Sequence, residues 1–74
     1  MEPSVLTQRV GQAIRAHRTA KGLSQDDFAD IIGMHRAYYA AIERGEKNIT
    51  LVTMERVARG LAVRLSKLLA DGGL

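Results

Sequence analysis

The sequence predicts an all-α fold, one compact domain of five short helices. Three observations predict it. Apolar residues recur at helical spacing, in Val10, Ile14 and His17 and again in Met54, Val57, Ala58 and Leu61. Glycines at 22, 33 and 45 fall like punctuation between short segments. Strand signals are poor, with no sustained apolar–polar alternation and 4% aromatic residues.

Each element follows from local chemistry. The first helix starts near Ser4 or Thr7, either of which can cap it, and runs to Lys21, with Gly22 as a left-handed stop. The second opens at Ser24, whose hydroxyl can accept a free backbone N–H, and Asp27 sits where a capping-box acid belongs. Asp26, Asp27 and Asp30 complement the positive end of its dipole, and Leu23, Phe28, Ala29 and Ile32 form its inner face. Gly33 then supplies a positive φ for a tight turn. The third helix runs from about His35 to Arg44, with Tyr39 and Ile42 inward, and Gly45 ends it. After a polar loop at 46–48, Thr50 caps a fourth helix with Leu51, Met54, Val57, Ala58 and Leu61 inward. Ser66 is the expected cap of a fifth helix containing Leu68 and Leu69. The domain is expected to fill residues 1–74, with a core at 5–70 and a frayed tail at 71–74.

Composition narrows the function classes. A chain of 74 residues has little interior, and with no cysteine it lacks disulfides and thiolate metal sites. Oligomerisation is the remaining extra source of stability. Eleven Lys and Arg against eight Asp and Glu give a formal +3, a mild excess whose distribution matters more than its size. The acids cluster at 26–30, while Arg36, Arg44 and Lys47 follow in the next segment. No apolar run approaches the roughly 18 residues of a membrane span. The N-terminal M-E-P-S-V-L-T-Q-R-V lacks a secretory pattern, so the expected location is the cytoplasm. No enzyme is expected. His17 and His35 share no metal-ligand spacing, Ser24 has no evident general base, and no glycine-rich phosphate loop is present. No metal or cofactor is therefore implied. His17, on the apolar face of the first helix, is expected half-buried with one nitrogen satisfied rather than as a pH switch.

The third helix carries the candidate chemistry. Arg36, Ala37, Ala40, Ala41 and Arg44 form one stripe, thin in the middle and basic at its ends. Such a face fits the major groove of DNA, about 12 Å wide, where alanines permit close approach and touch thymine methyls. Arg36 is placed to pair with a guanine edge, and Arg44, two turns on, with a phosphate or a second base. The Tyr38 hydroxyl, and Lys47 and Asn48 in the next loop, can hold the DNA backbone, as can the Gln25 amide at the start of the second helix. The same stripe also fits a solvated face or a helix-packing surface, and Lys47 and Asn48 also fit plain turn residues.

L-S-Q-D-D-F-A-D-I-I-G-M at 23–34, I-E-R-G at 42–45 and N-I-T-L at 48–51 together resemble the Cro/repressor-type (XRE) helix-turn-helix regulators, from about Val10 to Leu69. Within that family, H-R-A-Y-Y-A-A-I-E-R-G-E-K-N-I-T-L is most similar to small stand-alone regulators, including restriction–modification controller proteins. The resemblance implies a five-helix repressor-like domain whose third helix reads DNA. It implies base contacts from Arg36, Ala37 and Ala40, phosphate contacts from Gln25, Tyr38, Lys47 and Asn48, and an ion pair between Arg18 and Glu43. Three departures stand out. His17 replaces the usual leucine. Ala37 and Ala40 replace the commoner Ser or Thr. Gly60 and Ala62 are exchanged relative to the usual A-L-G-V, so a left-handed Ala62 would carry strain of roughly 1 kcal/mol.

The resulting expectation is a sequence-specific regulator of double-stranded DNA. It acts as a homodimer that places two third helices about 34 Å apart on a roughly palindromic site. Leu65, Leu68 and Leu69 are its expected dimer surface, or else they close the monomer core. Repression by covering a promoter and activation by touching RNA polymerase both fit, and no small-molecule effector is expected. The rival from another class is an antitoxin or adaptor whose third helix packs on protein.

Overall fold

The structure, a computed structural model, describes residues 4–74. Met1, Glu2 and Pro3, the start of the stretch read as non-secretory, lie outside the described residues. Five helices follow in order: α1 (Val5–Ala20), α2 (Gln25–Ile31), α3 (Arg36–Glu43), α4 (Leu51–Gly60) and α5 (Leu65–Asp71). There is no strand among the described residues.

Side-chain caps start three of these helices. Ser24 Oγ accepts the Asp27 N–H at 3.0 Å, and Thr50 Oγ1 accepts the Thr53 N–H at 3.1 Å. At α3 the cap is His35, whose Nδ1 accepts the Ala37 N–H at 3.3 Å. Positive φ falls at Gly22, Gly33 and Gly45, the three points of punctuation.

Inside, Ile14, Phe28, Tyr39, Val57, Leu61 and Leu68 are the largest fully buried side chains. The Phe28 and Tyr39 rings meet tilted, centroids 5.2 Å apart, and join α2 to α3. α1 packs on α3 and α5, and α4 packs on α5. Two glycines set how closely helices approach. A Cβ on Gly11 would lie 2.5 Å from the Glu43 carbonyl oxygen and 2.6 Å from that of Ile42, so α1 lies directly on the end of α3. A Cβ on Gly60 would lie 2.4 Å from Ile32 Cγ2 and 3.2 Å from the Phe28 ring. Position 60 therefore needs glycine for packing. Ala62 takes the left-handed turn instead, at φ 59°. The helix end still closes, with Ala62 N–H donating to Arg59 O and Val63 N–H to Ala58 O, both at 3.0 Å.

Three expectations are corrected. Leu51 is not inward; it is the first residue of α4, overhangs the edge of the core and is 69% exposed. Ser66 does not cap α5. The turn at Ala62 redirects the chain early enough for Arg64 to be the N-cap, without a side-chain bond. The tail is not frayed. Asp71 belongs to α5 and its Oδ2 lies 2.7 Å from His17 Nε2 on α1. Gly72 is buried, and the Gly73 and Leu74 N–H groups donate to Ala70 O and Leu69 O at 2.9 and 3.1 Å. His17 is half-buried with this one nitrogen engaged.

Candidate nucleic-acid interface

One carboxylate anchors α3. Glu43 is 6% exposed and receives three side chains. Arg18, from α1, donates through Nε to Oε2 at 2.6 Å and through Nη2 to Oε1 at 3.1 Å. Gln25, from α2, donates to Oε1 at 3.0 Å. The Tyr39 hydroxyl, one turn back on α3, donates to Oε2. Arg18 also donates through Nη1 to the Leu23 carbonyl at 2.6 Å, reaching the α1–α2 connection. Burial resists ionisation of Glu43, but the bonds from Arg18, Tyr39 and Gln25 outweigh it and hold the carboxyl below its ordinary value. Burial first, and then the bond to Glu43, push the Tyr39 phenol up, so it stays a neutral donor. The bond to Glu43 raises Arg18 against its own burial.

With Tyr39, Ile42 and Glu43 turned inward, α3 exposes Arg36, Ala37, Tyr38 and Arg44, with Ala40 half-buried. Ala41 leaves the predicted stripe; it is 5% exposed and packs inward. The predicted stripe thus keeps four of its five residues, Arg36, Ala37, Ala40 and Arg44. Lys47 Nζ stands 5.9 Å over the Tyr38 ring, which brings the 46–48 loop onto the same side as the start of α3. Asn48 is exposed in that loop. Arg44 forms a fork with Glu46, Nε to Oε2 at 2.9 Å and Nη2 to Oε1 at 3.0 Å, both side chains exposed. Gln25 lies half-buried at the start of α2, with its amide tied to Glu43 on α3.

The three leucines of the expected dimer surface separate. Leu68 is fully buried, so it closes the monomer core and offers no surface. Leu65 and Leu69 are half-buried against that core. Apolar side chains remain exposed elsewhere, at Leu6, Leu74, Ile31, Val5, Leu51 and Val52.

Two positioning contacts escaped the sequence reading. Arg56, on α4, donates through Nε to Ile32 O at 2.8 Å and through Nη2 to Gly33 O at 2.6 Å, pinning the turn between α2 and α3. Arg36 Nη1 donates to Asp26 Oδ2 at 2.9 Å. Neither has a local signal, because each joins residues ten or more positions apart. Among the described residues no group of three or more His, Cys, Asp or Glu could hold a metal ion. No described helix is long and apolar enough to cross a membrane.

A short helix pair with a pinned turn and an outward-facing second helix defines a helix-turn-helix. A family model described as "Helix-turn-helix" matches residues 14–68, and the chain belongs to that family. Its relatives include restriction–modification control proteins. Control protein C.MunI of Mycoplasma sp is 41% identical over 64 residues, covering 85% of this chain and 86% of its own. The controller protein C.AhdI from Aeromonas hydrophila superposes with a TM-score of 0.80 at 39% identity, covering 84% of this chain and 94% of its own. The controller protein C.Esp1396I, solved as a tetramer with its natural 35 base-pair operator, superposes with a TM-score of 0.83 at 30% identity, covering 93% and 95%.

Proposed function

We propose that the chain is a sequence-specific, double-stranded-DNA-binding transcriptional regulator of the restriction–modification controller kind, working in the cytoplasm as a homodimer on a roughly palindromic operator. The outward face of α3 carries this reading: a thin strip bounded by Arg36 and Arg44, held rigid from behind by Glu43. In this reading Arg36, Ala37 and Ala40 meet base edges, and Tyr38, Arg44, Lys47, Asn48 and the remainder of the Gln25 amide meet the DNA backbone. Two alanines supply methyl contacts where hydroxyls would supply hydrogen bonds, so DNA shape takes a larger share of the discrimination.

The dimer follows from size. One chain carries one α3 and extends 28 Å along its longest axis. Successive major-groove half-sites lie about 34 Å apart, so reading both needs two chains. A second copy would occupy the apolar groove of about 300 Å³ between the start of α1, the 47–49 loop, the first half of α4 at Met54 and the end of α5. Met54, Leu69 and Ile49 line it, and the half-exposed Leu6 and Leu74 border it. A relative that assembles as a tetramer on its operator favours another copy of the chain as the occupant. Bound beside a promoter, the dimer represses by covering it or activates by touching RNA polymerase. Its control is its own concentration, without a small-molecule effector.

Selection from a randomised duplex library tests the reading. The expected product is a two-fold symmetric site whose affinity falls steeply between about 50 and 200 mM salt. Arg36→Ala should lose base preference at one position of each half-site, at a cost of about 1–3 kcal/mol. No enrichment at low salt would sink the proposal and favour a protein-binding adaptor.

A further inference from the structure

Arg36 is already engaged in the free protein. Its Nη1 reaches Asp26 Oδ2 at 2.9 Å, across from the first turn of α2, and the two side chains are 70% and 63% exposed. So exposed a pair adds little to folding. A carboxylate beside a face that meets phosphates also weakens attraction to any DNA. The contact therefore has no evident gain in stability or in general affinity. Its geometry suggests a different use. A guanidinium offers five N–H donors in a planar fork, and the Asp26 contact takes one at Nη1. The opposite edge, Nε and Nη2, keeps two parallel donors, the arrangement that matches guanine O6 and N7.

We infer that Asp26 is a positioning residue for specificity. It holds the Arg36 guanidinium so that the Nε–Nη2 edge faces a guanine, and it holds that side chain back from phosphates. The inference rests on the reading of Arg36 as a base contact. On a matching site Arg36 binds the base and keeps Asp26. On other DNA the edge that Asp26 turns toward the bases finds no guanine, and turning it to a phosphate strains or breaks the pair. Asp26 thus separates right from wrong sequence while adding nothing to overall grip.

Binding of Asp26→Asn and of Asp30→Asn is measured against two duplexes, the site selected with the unaltered protein and a scrambled duplex of equal length. Asp30 lies on the same helix and has no ion-pair partner among the described residues, so its variant removes the same charge without touching Arg36. Asp30→Asn should tighten both duplexes alike. Asp26→Asn should narrow the ratio between the selected and scrambled duplexes by about two- to five-fold, the value of an exposed pair. In a repeated selection it should also relax the same base position as Arg36→Ala, with Asp26→Glu restoring the preference. On an Arg36→Ala background, Asp26→Asn should behave like Asp30→Asn. Equal shifts on both duplexes, or an unaltered ratio, overturn the inference. The two failures separate cleanly. If Arg36→Ala leaves base preference intact, the base-contact reading has failed; if it relaxes preference and Asp26→Asn does not, only the role of Asp26 has failed.

Discussion

At the scale of single residues, Glu43 decides how the candidate interface is held. It is a buried charge with three donors, and removing one donor leaves the others in place. Arg18 is the only cationic donor of the three, so Arg18→Ala leaves a buried carboxylate without a counter-charge. The expected loss is about 3 kcal/mol, the low end for breaking a buried pair because Gln25 and Tyr39 remain. Thermal or urea melting reads it, and the preferred DNA sequence should stay the same; an unaltered melt would remove the ion pair from the account. Tyr39→Phe deletes one bond to a charged acceptor and should cost about 1.5–3 kcal/mol. The same carboxylate sets an acid limit. Its folded value lies below the ordinary 4.5, so on acidification the unfolded chain takes up the proton first. The stabilisation is complete above the unfolded value and is lost as pH falls through the folded one. Urea midpoints measured between about pH 3 and 7 should show this fall. Glu43→Gln should flatten it, at the cost of a lower plateau near neutrality.

At the scale of elements, the junction of α4 and α5 shows one constraint displacing another. Gly60 is needed where α4 meets Ile32 and Phe28, and the left-handed position two residues later is left to Ala62. Ala62→Gly relieves about 1–2 kcal/mol of left-handed strain and loses about 0.4–1 kcal/mol through a freer unfolded chain. The net expectation is a stabilisation of about 0.5–1 kcal/mol, read as a higher urea midpoint. Gly60→Ala should instead destabilise, since its Cβ meets side chains on α2. The elements themselves were legible in the sequence. Ser24, Thr50 and the glycines at 22, 33 and 45 mark helix ends by local bonding and backbone geometry, which a linear reading captures. So was the left-handed Ala62, from the exchange with Gly60. The misreadings share a cause. Periodicity puts Leu51 inward and Ala41 outward, because it gives a face but not whether a neighbour covers it. Asp71, Arg56 and Asp26 act through partners distant in sequence, and nothing local announces them. At the candidate interface, Arg36, Ala37 and Tyr38 are exposed on α3 and Lys47 stands over the Tyr38 ring, while Gln25 is half-buried against Glu43.

At the scale of the whole molecule, the proposed dimer makes a separate demand. Leu6 and Leu74 are about half exposed at the rim of the apolar groove, so Leu6→Glu with Leu74→Glu should leave the monomer folded. Sedimentation should then show a monomer at concentrations where the unaltered chain is dimeric. Operator affinity should fall while the circular dichroism melt loses its dependence on protein concentration. A variant that stays dimeric would move the interface elsewhere, toward Ile31 and Val52 on the α2–α4 side.

The division of α3 into an inner and an outer face has a consequence for descent. Tyr39, Ile42 and Glu43 secure the helix, and none of them is among the residues proposed to meet bases. Arg36, Ala37 and Ala40 can then be exchanged with little effect on folding, one position at a time. A lineage built this way can drift to a new target sequence without passing through an unfolded ancestor, and duplicated copies can part company in what they recognise while remaining the same object in shape.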